Sequence, residues 1–406
     1  MKSQLQTLLF WVGAVLIVVL ATIFYQPAAA KTGSLLVWTK GWIYVMDIDS
    51  LILKRVGRAE SGDSLAPSPG CSRQIETSCW VIAGQTLYEV RTDANALAPE
   101  RQLPGGTTHW IDSEVSWSPD GIHLAYSIQT DNSTELRLYN AASDTINMVV
   151  PDVDPTVAAA WSQACVNGLG DSACQIGFKA ADDSSIRLVA LTPATNNQTS
   201  WEISAEEIFD LRWTADNELL YSDPPRHFNS VVTQEPAYQI PVAGQLANMS
   251  PQGRYTIYYQ PFSLKDCSTT EEADCLNLGV WITERGNNDA GPDLIYNLSL
   301  TESRSGGLNF IPIWSTDEQI AVFFQDGNLI HYDVVEREAT IWYKAVNGKL
   351  RSVPIFSPNE EAVAFVDNQG QGYSEYRLVI VNPKLQPIEH IIETDSGFRL
   401  LAWLPL

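Results

Sequence analysis

Ser116-Trp-Ser-Pro-Asp-Gly-Ile-His-Leu-Ala-Tyr-Ser127 is the stretch of sequence that decides the fold. In its centre Pro119 presets φ, Asp120 can bond back to the backbone, and Gly121 tolerates a positive φ, so a tight turn is favoured. The stretch therefore predicts a strand, a turn and a second strand. A single hairpin defines no architecture, but a repeated one does.

The same pattern recurs along most of the chain. An apolar residue and then a Ser or Thr precede each turn, and in most copies an apolar strand follows. The apolar position falls at residues 67, 117, 161, 213, 249, 314, 356 and 403, with a mean spacing of 48 residues. We expect the repeated tryptophans (Trp117, Trp161, Trp213, Trp314 and Trp403) to pack between neighbouring units rather than to stack on a ligand.

Two further strands follow in most units, such as 328–332 and 340–343. Four antiparallel strands per unit make the blade of a β-propeller, so the fold class is all-β and residues 31–406 form a single propeller. Eight first strands predict eight blades. Seven is the alternative, because the step over 217–247 is the shortest.

The two ends of the repeat region complement each other. Residues 34–38, 42–47 and 53–56 match strands two to four of a unit, whereas 398–403 match a lone first strand. We therefore expect the C-terminal strand to pair with the N-terminal blade and close a monomeric ring, which leaves no open sheet edge between the first and last blades.

These repeats resemble those of the TolB-like (WD-type) propeller family, whose usual form is Trp-Ser-Pro-Asp-Gly, then Leu-Ala-Phe, then Leu-Tyr-Val-Met-Asp. Residues 117–126 and 43–47 match best, and the resemblance covers about 34–406 at the level of the repeat. It implies a bacterial envelope propeller that binds a partner. TolB proteins carry an α/β domain before the propeller, for which there is no room between Lys31 and Ser34. Their lipoprotein partner is therefore not carried over.

The N-terminus indicates export. Residues 8–25 are 18 uncharged residues behind Lys2, which is the lower limit for a membrane span and favours an anchor with the remaining chain outside the cytoplasm. Small residues at Ala28 and Ala30 instead fit a signal-peptidase site. Residues 1–30 are thus predicted to be a signal anchor or a cleaved signal peptide, and the chain to be membrane-tethered, periplasmic or secreted.

Six cysteines lie in three close pairs, which are Cys71 with Cys79, Cys165 with Cys174, and Cys267 with Cys275. An exported chain favours disulfides, and we expect these three local bridges in loop insertions. A zinc site is the alternative, although the spacings do not match those of zinc ligands.

Composition excludes some classes of partner. The chain has 48 acidic and 25 basic side chains, whereas nucleic-acid binding needs clustered Lys and Arg. We expect no nucleic-acid partner, and membrane contact only through the N-terminal helix. A basic or cation-bridged envelope protein or polysaccharide fits the charge.

Catalytic motifs are absent from the sequence. Gly170-Asp-Ser-Ala-Cys174 fails as a nucleophile elbow, and no His-Glu-x-x-His occurs. We expect no catalytic residue and no cofactor. Structural calcium is an alternative, because 47–49, 152–154 and 182–183 each carry two carboxylates; solvated turns are the other interpretation.

A site in the central channel is the remaining candidate, since the first strands of the blades line it. The residues predicted at its rim are Asp112, Glu114, Asp210, Asn309, Arg351 and Arg399. They suit a polar ligand or a peptide terminus, whereas polar residues around a water-filled channel are the alternative.

Three functions follow. The first is a non-catalytic binding or scaffold module of the cell envelope. The second is an enzyme with its site in the channel, a glycan hydrolase or lyase, which requires a pair of carboxylates such as Asp112 and Glu114. The third is an extracytoplasmic sensor domain that needs a membrane partner.

Overall fold

The structure is a computed structural model. It describes residues 33–405 except 61–63, 73–77, 91–99, 106–114, 132, 182–184, 224–226, 239, 241–244, 264–275, 287–290, 300–311, 326–327, 345–351, 369–374, 384–386 and 395–396. The predicted signal anchor or signal peptide at 1–30 lies outside the described residues, as do the two carboxylates of 182–183. Among the residues that are described, no helix is long and apolar enough to cross a membrane.

Eight antiparallel sheets form an eight-bladed propeller, as the sequence predicts. We number the blades 1–8 along the chain and give each from its innermost strand outward. Blade 1 contains β31 (Phe398–Leu404), β1 (Ser34–Thr39), β2 (Trp42–Asp47) and β3 (Leu53–Arg58); blade 2 contains β4 (Leu65–Pro67), β5 (Cys79–Ala83), β6 (Thr86–Val90) and β7 (Arg101–Gln102); blade 3 contains β8 (Ser116–Trp117), β9 (His123–Gln129), β10 (Thr134–Asn140) and β11 (Thr145–Val150). Blade 4 contains β12 (Ala160–Trp161), β13 (Ile176–Ala180), β14 (Ile186–Thr192) and β15 (Asn197–Ile203); blade 5 contains β16 (Asp210–Trp213), β17 (Leu219–Asp223) and β18 (His227–Ser230); blade 6 contains β19 (Gln245–Met249), β20 (Tyr255–Ser263), β21 (Leu276–Glu284) and β22 (Asp293–Ser299). Blade 7 contains β23 (Ile313–Trp314), β24 (Ile320–Gln325), β25 (Asn328–Asp333) and β26 (Glu338–Tyr343); blade 8 contains β27 (Ile355–Phe356), β28 (Val363–Asn368), β29 (Glu375–Val381) and β30 (Ile388–Glu393). Two 3₁₀ helices, Pro69–Cys71 and Gln163–Asn167, lie in blades 2 and 4.

Blade 5 departs from the four-stranded prediction. In its described part it has three strands, and the place of a fourth is taken by a single antiparallel bridge between Asn229 and Pro236. Proline has no backbone N–H to donate to a ladder, so this position cannot continue as a paired strand. Tyr238 fills the space instead, buried in a cluster with Leu220 and Phe228.

The ring closes through the last strand. β31 pairs antiparallel with β1, from Ser34 opposite Leu404 to Thr39 opposite Phe398, as the chain ends predict. β31 also contacts β27 on one side and β4 on the other, so the innermost strands follow one another around the axis. The hydrophobic core lies between blades, as where Leu36 and Val45 of blade 1 pack with Val81 of blade 2.

A buried hydroxyl organises the turn between the first and second strands in seven blades. The hydroxyl oxygen of a Ser or Thr accepts the amide N–H of a residue at or beside the start of the second strand at 2.9–3.1 Å. These buried residues are Ser68, Ser118, Ser162, Thr214, Ser250, Ser315 and Ser357. The repeated Ser or Thr of the sequence pattern therefore satisfies a backbone donor that burial would otherwise leave unpaired.

The position three residues after that hydroxyl residue decides how each turn closes. It holds Gly121 and Gly253 in blades 3 and 6, both at positive φ, but Glu318 (φ 60°) and Glu360 (φ 57°) in blades 7 and 8. A glutamate is strained in this left-handed region. Each of these carboxylates accepts an amide N–H from the preceding blade, that of Gln252 and that of Thr316 respectively, which offsets the strain.

In blades 2 and 4 the same third position is a cysteine. Cys71 bonds to Cys79 and Cys165 to Cys174, and each bridge joins the 3₁₀ turn to the second strand or the residues just before it. Two of the three predicted disulfides are thereby confirmed, with free thiols and a zinc site excluded at those four residues. Cys267 and Cys275 lie outside the described residues.

The repeated tryptophans pack between blades, as predicted. The indole N–H of Trp117 donates to the carbonyl of Ala66 at 3.1 Å, that of Trp161 to Ser116 at 3.1 Å, and that of Trp213 to Ala160 at 3.0 Å. Each bond reaches the first strand of the preceding blade. The tryptophan thus combines apolar burial with a hydrogen bond that sets the spacing of neighbouring blades.

Candidate functional site

The predicted channel rim is described at two of its six residues. Asp112, Glu114, Asn309 and Arg351 lie outside the described residues. Asp210 begins β16, half-exposed, and its carboxylate pairs with Arg212 at 2.8 Å. Arg399 is exposed on β31. These two belong to blades 5 and 1, on opposite sides of an eight-bladed ring, and the channel site remains a prediction.

Blade 3 contains a buried Ser, His and Asp close together, which raises the question of a catalytic triad. His123 Nδ1 lies 3.0 Å from Asp120 Oδ2, as in a triad. However, the Ser118 hydroxyl donates to Asp120 and to the carbonyl of His123, while His123 Nε2 faces the amide of Asn140 at 3.2 Å. A triad needs the serine at the far imidazole nitrogen. Ser118 is also fully buried, so the cluster holds the turn.

Hydrogen bonds decide the ionisation of Asp120. Burial on its own would raise its pKa, but donors from His123, Ser118 and the amide of Ile122 outweigh burial and hold the pKa below the ordinary value of 3.8. The carboxyl group is therefore ionised at neutral pH, and as an anion it accepts bonds from all three residues.

One carboxylate in each of the two described loops considered for calcium already has partners within the protein. Asp47 accepts the amide and hydroxyl of Ser50, and these bonds lower its pKa. Asp154 pairs with Lys179 at 2.7 Å. In the part of the chain that the structure describes, no three His, Cys, Asp or Glu side chains are grouped as a metal site requires.

An open groove lies between blades 7 and 8. Its volume is about 510 Å³, within the usual range of ligand sites. We call it the acidic groove and define it by its lining residues, which are Asp317, Ile320, His331, Asp333, Glu336, Glu338, Thr340, Trp342, Asn359, Glu360, Glu361 and Pro383. Six of these twelve are Asp or Glu, and no lysine or arginine is among the described residues that line the groove.

Strand register brings most of the groove together. His331 faces Thr340 across the β25–β26 pair, and Asp333 faces Glu338. Residues two apart on a strand point to the same side, so these side chains and Trp342 share one face of blade 7. The turn of blade 8 at residues 359–361 supplies the opposite wall.

The groove carboxylates differ in whether they already have hydrogen-bond or ion-pair partners within the protein. Asp333 accepts the amides of Val335 and Glu336, and Glu360 accepts that of Thr316. The side chains of Glu336 and Glu338 make no ion pair with any described residue.

The nearest basic side chain along the sequence points away from the groove. Arg337, which lies between Glu336 and Glu338, pairs with Asp293 of blade 6 at 3.3 Å. The local negative charge of the groove is therefore not neutralised from within the described chain.

An aromatic pair lines the same groove. The rings of His331 and Trp342 stack nearly parallel, at an interplanar angle of 13° and with centroids 4.1 Å apart. Burial lowers the pKa of His331, and the opposing effect of Asp333 is smaller. The imidazole is therefore neutral at neutral pH and adds no positive charge to the groove.

Sequence reasoning missed this groove because it placed a site only on first strands. The signal present was the alternation of His331 with Asp333 and of Glu338 with Thr340 and Trp342 on two successive strands. The wall from blade 8 depends on how neighbouring blades pack, which no local pattern encodes.

Comparison with solved structures supports the fold. The structure of dihydro-heme d1 dehydrogenase NirN in complex with DHE matches 92% of this chain and 76% of its own, at 14% identity and a TM-score of 0.55. The Dos1 propeller matches over 92% and 95%, at 11% identity and a TM-score of 0.51. TolB from Acinetobacter baumannii matches over 90% and 79%, at 10% identity and a TM-score of 0.36.

These similarities define a class of fold. The two matches with TM-scores above 0.5 and the eight-bladed ring confirm the β-propeller fold that the repeat-level resemblance to TolB-like and WD-type propellers implies. No protein family and no curated protein matches the sequence. At such low identities structural similarity carries no activity from one protein to another.

Proposed function

We propose that this chain is an exported, membrane-tethered β-propeller of the cell envelope that acts as a non-catalytic binding or scaffold module. In this proposal it binds a cationic segment of a partner protein in the acidic groove. The observation that carries the proposal is the groove itself, a cavity between two blades that is lined by carboxylates and by one aromatic stack. Rigid scaffolds commonly present such binding surfaces on the loops and edges of their elements.

The spread of the carboxylates favours an extended cationic ligand over a single ion. They come from two strands and three turns, and in the described chain they do not converge as metal ligands do. A peptide with several Lys or Arg side chains would place separate charges near separate carboxylates.

Two disulfides and the acidic composition support the envelope setting. Disulfides persist in oxidising compartments outside the cytoplasm. An excess of 23 negative charges on the chain also favours encounter with a basic partner.

A titration by fluorescence anisotropy tests the proposal. The full chain, with its disulfides oxidised, is titrated into a labelled peptide of alternating Arg and Gly, and separately into an Asp-Gly peptide of equal length. We expect binding of the cationic peptide only, weakened by salt because the attraction is screened.

A pair of variants locates the binding. The double substitution Glu336→Gln, Glu338→Gln should weaken binding about tenfold, at roughly 0.7 kcal/mol for each exposed charge pair. The matched control is Glu206→Gln, Glu207→Gln, which removes two exposed carboxylates between blades 4 and 5. Equal weakening by both doubles would show that binding follows net charge and not the groove.

A further inference from the structure

The aromatic stack gives the acidic groove a feature that charge alone does not. Carboxylates attract any cation, and an ammonium and a guanidinium carry the same charge. A flat aromatic surface separates the two, because guanidinium is planar, weakly hydrated and stacks on rings, whereas ammonium is compact and strongly hydrated. His331 and Trp342 provide such a surface in the groove wall.

We infer that the stacked pair His331 and Trp342 is an arginine-selective subsite, which binds an arginine side chain of the bound segment in preference to a lysine side chain. This inference rests on the proposed function and deepens it. The neutral His331 beside Trp342 leaves the ring surface without a competing cation, and Glu338 and Asp333 flank it on the paired strands. An arginine can stack on the rings while its N–H groups donate to these carboxylates.

Elsewhere in the described chain the same contact occurs within the protein. The guanidinium of Arg55 lies 4.7 Å from the ring centroid of Trp42, and that of Arg101 lies 4.9 Å from that of Trp80. In the groove, Trp342 is covered on one face by His331, and no arginine of the described chain lines the groove. The acidic groove therefore has the ring and the acceptors of an arginine site, with the arginine left for a partner to supply.

Two peptides of equal length and charge separate this inference from the proposed function. One alternates Arg with Gly and the other alternates Lys with Gly, and each is titrated with the full oxidised chain. We expect the arginine peptide to bind about two- to fivefold more tightly, as one exposed cation–π contact allows.

Variants then assign the preference. Trp342→Leu should bring the ratio of the two affinities close to one while changing the affinity for the lysine peptide less than about twofold. Trp201→Leu, which removes a half-buried tryptophan from the outer strand of blade 4, should leave the ratio unchanged. Glu336→Gln, which removes a groove carboxylate that does not flank the stacked pair, should weaken both peptides and keep the ratio.

The outcomes are distinct. If neither peptide binds, the proposed function fails and takes this inference with it. If both bind the wild-type chain equally, or if the ratio survives Trp342→Leu, the groove is a general cation site and only the arginine subsite is refuted. The wild-type ratio needs no variant, so poor folding of Trp342→Leu does not leave the question open.

Discussion

Asp120→Asn should destabilise the propeller at neutral pH, and the structure allows the effect to be worked out. Asp120 is 6% exposed. Oδ1 accepts bonds from the Ser118 hydroxyl and the Ile122 amide, while Oδ2 accepts one from His123. An asparagine has one oxygen and no charge. With that oxygen towards Ser118 and Ile122, its NH₂ faces His123 Nδ1, so the imidazole must adopt the tautomer in which Nδ1 accepts, and the bonds to an anion are lost.

The expected magnitude is about 2 kcal/mol, within the range for hydrogen bonds to a charged group. An entropy of unfolding near 2 cal/mol/K per residue, over about 370 residues, converts this to a fall in Tm of about 3 °C. Calorimetry of the oxidised chain at pH 7 measures it.

Blade 7 offers the matched control. Asp317 holds the same turn position and accepts bonds from the Ser315 hydroxyl and the Gln319 amide, but it is exposed. In blade 8 the position is Asn359, with the bond from Ser357 retained. Asp317→Asn should therefore shift Tm by less than about 1 °C, since an exposed substitution changes stability by about 0.5 kcal/mol or less.

The pH dependence supplies the refutation. Because the folded pKa of Asp120 is lowered below 3.8, its contribution to stability is present above that value and is lost as pH falls through the folded pKa. The difference between wild type and Asp120→Asn should then shrink as pH falls from 7 towards 3. Equal Tm values at pH 7, or a difference independent of pH, would refute the account of this cluster.

Two further predictions concern features that recur around the ring. Replacing both Cys165 and Cys174 by Ala should lower the free energy of unfolding by about 2.6 kcal/mol, because the bridge closes a loop of nine residues and so reduces the entropy of the unfolded chain. The free energy of unfolding of the variant is compared with those of oxidised and reduced wild type. Trp213→Phe removes the hydrogen bond from the indole to the carbonyl of Ala160. It should destabilise the protein by about 1 kcal/mol more than Trp314→Phe, because the buried indole N–H of Trp314 has no partner in the described chain. Equal losses of stability in chemical denaturation would argue against a role for the hydrogen bond.

Much of the fold was predictable because the signal is local and repeated. The Ser or Thr, the following turn and the apolar strand lie within about ten residues, so Ser118 and Ser315 report the same turn in two blades. The three-stranded form that blade 5 has in the described residues was not predictable in the same way. Its place is taken by Pro236 and Tyr238, and their role depends on packing against Phe228.

The candidate site was less predictable than the fold. The acidic groove combines the outer strands of blade 7 with the turn of blade 8. It therefore depends on the angle between the two blades, which the repeat pattern of the sequence does not specify. Glu360 illustrates the limit. In sequence it stands where a glycine would be expected, and only the structure shows its carboxylate bonded to Thr316 of the preceding blade.

The pairing of β1 with β31 imposes a time order on folding. During synthesis β1 appears hundreds of residues before its partner, and until then the inner edge of blade 1 has open backbone donors and acceptors. Joining Ser34 to Leu404 directly would close a loop of about 370 residues at an entropic cost of about 5 kcal/mol. We therefore expect the intermediate blades to stack first and the ring to close last. Until then, a newly made chain has this one edge open to chaperones or to another copy of itself.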